Sequence, residues 1–170
     1  LSSGPGVGNT ITGLLDAMSD SVPVLCISGQ VASSVIGTQA FQESDALGMS
    51  RPVTKWNHQP RCADDIPSVI RRALEIAASG RPGPVLVHVP KDVQSALLQR
   101  PAPTQPAAPA RKARAAVLPP PDALERAADL ISTARRPVLY GGGGLVNSGP
   151  QACAAFTRLV HRLDAPCTLT

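Results

Sequence analysis

An aromatic ring and a side-chain amide, Phe41 and Gln42, end a polar loop punctuated by glycine. The loop follows a continuous apolar run, Val22–Ile27, which predicts a buried strand that Ser28 and Gly29 end. In an open parallel sheet, ligands bind at the loops that follow the carboxyl ends of the strands. The ring offers a packing surface and the amide offers hydrogen bonds, so this loop is the first candidate site.

A second candidate is the glycine-rich turn near the start of the chain, where Gly4, Pro5, Gly6 and Gly8 precede Asn9. Such a turn predicts a helix that begins near Asn9, and it can bring bare backbone N–H groups to a ligand at the helix N-terminus. It differs from the dinucleotide fingerprint, which needs a third glycine at fixed spacing after a strand. A plain connection into a helix explains the residues equally well.

Two cationic side chains lie where they could meet an anion. Arg81 is held between Gly80 and Pro82 and could present its planar guanidinium to a phosphate or a ring system. Lys55 falls on a predicted short strand, residues 53–57. Without further information, a solvated surface role fits both residues.

A run of four glycines, Gly141–Gly144, follows a predicted strand at Pro137–Tyr140. Without side chains, Gly142, Gly143 and Gly144 would let the backbone approach a ligand closely. A plain turn is the alternative interpretation.

Composition excludes several classes of function. The 170 residues are 43% hydrophobic and 16% charged, with a net charge of +4. That basic balance lacks the clustered Lys and Arg with aromatic residues that nucleic-acid binding uses. The four cysteines show no C-x-x-C spacing and the histidines are scattered, so no metal site is predicted. No apolar run reaches the length of a membrane span.

Strands that alternate with helices predict an α/β fold with a parallel sheet. Apolar side chains at helical spacing indicate a helix over residues 11–18, and a short helix is expected at 43–47. A strand at 84–89 should share the centre of the sheet with residues 22–27. Asp64 or Asp65 should cap a further helix. Its predicted buried face comprises Ile66, Val69, Ile70, Ala73, Leu74 and Ala77.

The character of the chain changes at residues 95–121, where prolines lie among Ala, Gln, Arg and Lys. This composition predicts an extended linker whose basic group, at 111–114, is solvated. A second α/β unit is expected over 122–170, with a capping box at Asp122 and Glu125 and a strand from Cys167 to Leu169. Its predicted buried helix positions are Leu124, Ala127, Ala128 and Ile131, then Phe156, Leu159, Val160 and Leu163.

Several stretches closely resemble the catalytic subunit of acetolactate synthase, a thiamine-diphosphate (ThDP) enzyme. Gly-Gln-Val, a short spacer and Ile-Gly-Thr-Gln-Ala-Phe-Gln-Glu carry the resemblance most clearly. The other matching stretches are SGPGVGNTITGLLDA (3–17), SVPVLCISGQV (21–31), VTKWN (53–57) and SGRPGPVLVHVPKDVQ (79–94). The match is strong over residues 1–94 and looser over 122–170. Gln39 and Trp56 depart from it, since the family usually has Asp and His there.

The resemblance implies a partial, three-layer pyrimidine-binding domain over 1–94, a Pro/Ala-rich linker over 95–121, and the start of a Rossmann-like, FAD-binding middle domain over 122–170. Gln42 and Phe41 would then lie against the cofactor and the substrate channel, with Lys55 at the mouth of that channel. The implied ThDP pocket residues are Gly4, Pro5, Gly6 and Asn9. The implied FAD contacts are Arg81, Gly142, Gly143 and Gly144.

The family reaction joins pyruvate, after loss of carbon dioxide, to a second 2-oxo acid such as pyruvate or 2-oxobutanoate, in branched-chain amino acid biosynthesis. Its cofactors are ThDP, Mg²⁺ and FAD. The glutamate that activates ThDP would precede the Gly4 turn, and the Gly-Asp-Gly…Asn motif that holds magnesium and the diphosphate would belong to a third domain. Neither motif occurs in this sequence, so we expect a fragment that is inactive alone.

The resemblance further implies a cytoplasmic homo-oligomer that a regulatory small subunit joins, without nucleic acid or membrane. One alternative is another ThDP enzyme, either a carboligase or a 2-oxo-acid decarboxylase. A second alternative is a non-catalytic chain: a truncated relic, or a subunit that only binds a full-length partner.

Overall fold

The computed structural model describes residues 1–99 and 118–170. The chain divides into two compact units, residues 1–105 and 106–170. Most of the predicted linker, with its basic group at 111–114, lies outside the described residues, and the domain boundaries stay a prediction. Within the described ranges, no helix has both the length and the apolar character needed to cross a membrane.

The first unit alternates helices and strands, as expected. The elements are α1 (Pro5–Gly8), α2 (Ile11–Ser19), β1 (Leu25–Gln30), α3 (Ala46–Ser50), β2 (Trp56–His58), α4 (Ile66–Ala78), β3 (Val85–Pro90) and α5 (Lys91–Ser95). The short strand predicted at 53–57 begins only at Trp56, because Arg51–Val53 form a 3₁₀ turn first. The short helix predicted at 43–47 begins at Ala46, where the Asp45 carboxylate accepts a hydrogen bond from Gly48 N at 2.8 Å.

The three strands form a parallel sheet in the order β1-β3-β2, which confirms the predicted α/β class. Only β3 is central among the described strands, so the expectation that residues 22–27 are also central was wrong. Every residue of β3 is buried, whereas β1 alternates between buried and more exposed positions. A parallel strand is apolar along its whole length only where both of its faces are covered, and the 45% exposure of Ile27 shows that one face of β1 is incompletely covered.

The end of β1 also differs from the prediction, because Ser28 and Gly29 continue the strand. They pair in register with His88 and Val89 of β3. The Ser28 hydroxyl lies 2.7 Å from His88 Nδ1 in the buried interior. This pairing gives the buried Ser28 hydroxyl a hydrogen-bond partner, and the pairing of β1 with β3 continues to Gln30.

Helices cover both faces of β3 and give three layers. On one face, α4 packs Val69, Ala73 and Ala77 against alternate valines of β3. On the other face, Val7, Leu14, Cys26, Ala46 and Val53 surround Leu86. Leu74 was predicted on the buried face of α4 but is 53% exposed, because the actual stripe is narrower than its apolar sequence suggests.

Trp56, at a position where the resembling family usually has His, has clear partners. Its ring stacks on His58 with the ring centres 5.1 Å apart and the planes at 7°. The Arg72 guanidinium of α4 lies 5.4 Å from the Trp56 ring centre, within cation–π range. Trp56 therefore links β2 to α4.

The second unit contains α6 (Pro121–Thr133), β4 (Leu139–Gly141), α7 (Gly143–Asn147), α8 (Pro150–Leu163) and β5 (Cys167–Leu169). β4 and β5 pair in parallel, and β5 has the predicted bounds. The predicted α8 face, Phe156, Leu159, Val160 and Leu163, is half-buried.

Two predictions for α6 were wrong. The N-cap is Pro120 without a side-chain cap, and Asp122 instead pairs with Arg126 at 2.6 Å, one helical turn on. The predicted buried stripe is not buried, and Leu124 is 57% exposed. The stripe has the right spacing, but no described element of this unit covers it.

Candidate functional site

The predicted glycine turn is a tight reverse turn from Ser3 to Gly6, closed by a hydrogen bond from Gly6 N to Ser3 O at 3.2 Å. Gly4 occupies its first central position with φ 58° and ψ −122°, a conformation open to glycine and strained for other residues. Pro5 follows with the φ that the proline ring imposes, and α1 begins there. The turn geometry therefore favours glycine at position 4 and accommodates proline at position 5.

Gly4 also lacks a side chain for a tertiary reason. A Cβ at Gly4 would lie 2.9 Å from both Cα and the carbonyl oxygen of Gln42. The Ser3 hydroxyl adds a long hydrogen bond to Gln42 Oε1 at 3.4 Å. The fold thus brings the amide of the second candidate loop directly onto the first candidate turn.

Phe41 projects into solvent beside this contact and is 89% exposed. Gln42 has φ 65°, in the left-handed region, and is itself exposed. An exposed aromatic ring and amide on a backbone-lined turn form one wall of a site, with the opposite side open. Such a wall can pack against a ring and hydrogen-bond its edge.

Glu43 holds the loop that carries these side chains. Its carboxylate accepts hydrogen bonds from Gly37 N at 2.5 Å and from Ala40 N at 3.1 Å. These backbone bonds, first of all the one from Gly37, hold the pKa of Glu43 below its usual value. This role of Glu43 was not predicted from the sequence.

Asn9 lies at the end of α1, where its backbone N–H bonds to Pro5 O at 3.0 Å. It lines a separate open cavity of about 510 Å³ between α2 and β1. The structure therefore joins Gly4 and Gln42 at one wall and places Asn9 beside a different depression of the surface.

Lys55 and Arg81 each bind the carboxyl end of a helix. Lys55 Nζ donates to Ser79 O at 2.6 Å and to Ile76 O, at the end of α4, and burial lowers the pKa of Lys55. Arg81 donates to Met18 O at 3.1 Å and Ser19 O at 2.8 Å, at the end of α2. Helix ends leave carbonyls without partners, and the helix dipole favours a cation there.

Sequence analysis missed a buried histidine on the central strand. His88 is 1% exposed, and its Nε2 has no hydrogen-bond partner among the residues that the structure describes. Burial lowers the pKa of His88 to about 4, against a smaller opposing effect of Asp45. His88 borders a cavity of about 360 Å³, shared with Gln30, Glu43, Ser44, Asp45 and Gln59. A polar residue within the apolar run of β3 was the available signal.

In the second unit, the glycine run spans the end of β4 and the start of α7. A Cβ at Gly143 or Gly144 would meet no atom within 4 Å, and one at Gly142 would meet only Thr170 Oγ1 at 3.7 Å. The described packing therefore does not require glycine at these three positions, which leaves a bare backbone that a ligand could approach.

The described residues fit one part of a ThDP site better than the rest. A bare turn beside a side-chain amide suits a heteroaromatic ring that carries hydrogen-bonding groups. For a metal ion the fit is absent: no group of three His, Cys, Asp or Glu residues lies close enough to hold one in residues 1–99 and 118–170.

Comparisons with known proteins agree with this partial fit. Residues 1–49 match the model of the thiamine pyrophosphate enzyme N-terminal TPP binding domain. The whole chain is 42% identical to the mitochondrial acetolactate synthase catalytic subunit of Saccharomyces cerevisiae, of which it covers 25%. Over 99% of the chain, it is 46% identical to the Escherichia coli acetolactate synthase isozyme 1 large subunit and 48% identical to a Mycobacterium bovis acetolactate synthase, covering 28% and 26% of them.

The chain thus spans about a quarter of the length of these relatives. The matched domain model includes both the Gly4 turn and the Gln42 loop. Residues 1–49 therefore match the N-terminal domain of thiamine pyrophosphate enzymes, and the whole chain is similar to a segment of acetolactate synthase catalytic subunits.

Proposed function

We propose that this chain supplies one wall of the ThDP site in an acetolactate synthase catalytic subunit. The contact between Gly4 and Gln42 carries the proposal, because it joins two sequence motifs 38 positions apart into a single surface. The reaction would release carbon dioxide from pyruvate and join the remaining two-carbon unit to the keto carbon of a second 2-oxo acid.

When bound, ThDP supplies the electron sink that makes this decarboxylation feasible. The role of the chain's own residues is to bind and orient. The Gln42 amide would hydrogen-bond the cofactor edge, and the exposed Phe41 ring would exclude water beside it. The missing side chain at Gly4 lets the Gln42 backbone pack directly on the turn, which would hold the Gln42 amide in place beside the cofactor.

The remaining partners belong to the same proposal. FAD would lie against the bare backbone of Gly142, Gly143 and Gly144. Among the described residues, none packs closely into the space where their side chains would be. Arg81, the other expected FAD contact, already donates to the end of α2. Mg²⁺, a second subunit and a regulatory subunit would complete a cytoplasmic enzyme, with pyruvate and 2-oxobutanoate as the expected substrates.

Lys55 would attract a 2-oxo-acid carboxylate at the channel mouth less strongly than a free lysine would. Its ammonium group donates to two backbone carbonyls, so its charge acts on a 2-oxo-acid carboxylate through space rather than through a free, mobile side chain.

A chimera tests the proposal. Residues 1–170 replace the matching segment of the E. coli isozyme 1 large subunit, and acetolactate formation from pyruvate is measured with ThDP, Mg²⁺ and FAD present. We expect activity from the chimera and none from the chain alone. Gln42→Ala in the chimera should lower turnover by about ten- to a hundredfold, whereas Gln94→Ala, on the exposed surface of α5, should not.

A folded but inactive chimera would contradict the proposal. So would a Gln42→Ala chimera with the turnover of its parent. Activity of a chimera with another substrate pair in place of pyruvate would favour the alternative of a different ThDP carboligase or decarboxylase.

A further inference from the structure

The loop from Gly37 to Gln42 contains three residues in the left-handed backbone region. Their φ angles are 90° for Gly37, 61° for Gln39 and 65° for Gln42. Left-handed backbone is unfavourable for residues other than glycine and persists where surrounding contacts impose it. Something in the structure must therefore hold Gln39 and Gln42 in this shape.

The Glu43 side chain provides that constraint. One carboxylate oxygen accepts from Gly37 N and the other from Ala40 N, at 2.5 and 3.1 Å. The backbone N–H of Glu43 also donates to Ala40 O at 2.9 Å. A single side chain thus ties its own position to two points of the loop, on either side of Gln39.

The product of this constraint is the position of Gln42. Gln42 immediately precedes Glu43, and its Cα and carbonyl oxygen occupy the space that a Gly4 side chain would fill. If the loop relaxed toward ordinary φ angles, the Gln42 backbone would leave the turn and carry the amide away from the wall.

We propose that Glu43 is a positioning residue that holds Gln42 against the Gly4 turn, an inference that rests on the proposed function of that wall. Glu43 acts through Gln42 and not on the cofactor. Both of its oxygens already accept backbone N–H groups, and the lowered pKa of Glu43 follows from those bonds. Other titratable groups beside it are Asp45 and His88, which line the same cavity.

The first experiment uses the 170-residue chain itself and needs no cofactor. Amide ¹H and ¹⁵N shifts are followed by NMR from neutral pH to well below the usual glutamate pKa of about 4.3. The amides of Gly37 and Ala40 should titrate together, with a midpoint below that value. Glu43→Gln should abolish this titration and change the chemical shifts of the Gly4 amide. The control Glu75→Gln, on the exposed face of α4, should leave both the titration and the Gly4 shifts unchanged.

The second experiment is a double-mutant cycle in the active chimera. Glu43→Gln should lower turnover by about ten- to a hundredfold when Gln42 is present, and by much less in the Gln42→Ala background. A general loss of folding would instead lower turnover equally in both backgrounds. Glu43→Asp should resemble Glu43→Gln, because the aspartate side chain is too short to reach the backbone amides of both Gly37 and Ala40.

The two readouts separate the possible failures. Amides of Gly37 and Ala40 that ignore the titration of Glu43, or equal losses in both arms of the cycle, would overturn the positioning role. An inactive chimera with the amide titration intact would overturn the proposed function. The hydrogen bonds from Gly37 and Ala40 to Glu43 would then exist without a role in catalysis.

Discussion

Acid should weaken the first unit through His88. The pKa of this side chain falls from 6.5 to about 4 in the fold because burial disfavours the imidazolium. Between these two values the unfolded chain binds a proton that the folded chain refuses, so the free energy of unfolding must fall as the pH falls. Above pH 6.5 both states are neutral and the effect is absent.

The magnitude follows from the size of the shift. The fall of the pKa from 6.5 to about 4 corresponds to roughly 3–4 kcal/mol at about 1.4 kcal/mol per pKa unit, most of it lost by pH 4. That is a large part of the stability of a typical domain. Glu43 and Asp92, whose pKa values the fold lowers, lose their contributions in more acid solution, so they add to the same trend.

Urea unfolding at a series of pH values measures the effect. The single tryptophan, Trp56, stacks on His58 in the first unit, and its fluorescence reports the unfolding of that unit. His88→Gln should be less stable than the parent at neutral pH, because the Ser28 hydroxyl loses its partner, but its stability should change little between pH 6.5 and about 4.

The control is His161→Asn, an exposed position on α8, which should keep the pH dependence of the parent. Parallel stability curves for the parent and His88→Gln over this pH range would refute the reasoning. They would mean that water reaches the imidazole and that the strand does not desolvate it.

Three further substitutions test the contacts around the site, each by the free energy of unfolding. Gly4→Ala should cost about 2–4 kcal/mol, because the alanine would have to adopt a positive φ and its Cβ would lie 2.9 Å from the Gln42 backbone. The control Gly8→Ala should cost nothing, because its Cβ would meet no atom within 4 Å. Equal effects of the two substitutions would contradict the contact between Gly4 and Gln42. Arg81→Ala should cost about 1–2 kcal/mol by leaving the carbonyls at the end of α2 unpaired, and an unchanged urea midpoint would argue against this cap. Lys55→Met keeps the apolar stem but loses two hydrogen bonds to the end of α4, so about 1 kcal/mol should be lost; no loss would show that the ammonium is solvated.

Local patterns predicted the elements of the first unit well. The helix at 11–18 was found at Ile11–Ser19, and Gly80, at φ 53°, follows the end of α4 as predicted. These features depend on residues three or four positions apart, which the sequence displays directly.

Burial was harder to predict than helical type. Leu74 and Leu124 fit helical stripes by spacing but are exposed, because burial depends on what lies opposite the helix. Spacing states which side chains share a face, and says nothing about whether another element covers that face.

The candidate site divides in the same way. From residue types alone, the Gly-Pro turn and the Phe41–Gln42 loop were recognisable as separate candidates, since glycine freedom and an aromatic–amide pair are local properties. The sequence also determined the alternation of helices and strands, because the periodicity of apolar residues is written along the chain.

The three-dimensional packing places Gln42 on Gly4, closes the loop through Glu43, and directs Arg81 and Lys55 to the ends of helices. It also revealed the pairing of Ser28 with His88 across β1 and β3, 60 positions apart. These contacts depend on the register of parallel strands and on the packing of loops at both ends of the strands. Parallel pairing joins segments separated by whole helices, so no local pattern of residues can specify which side chains it brings together.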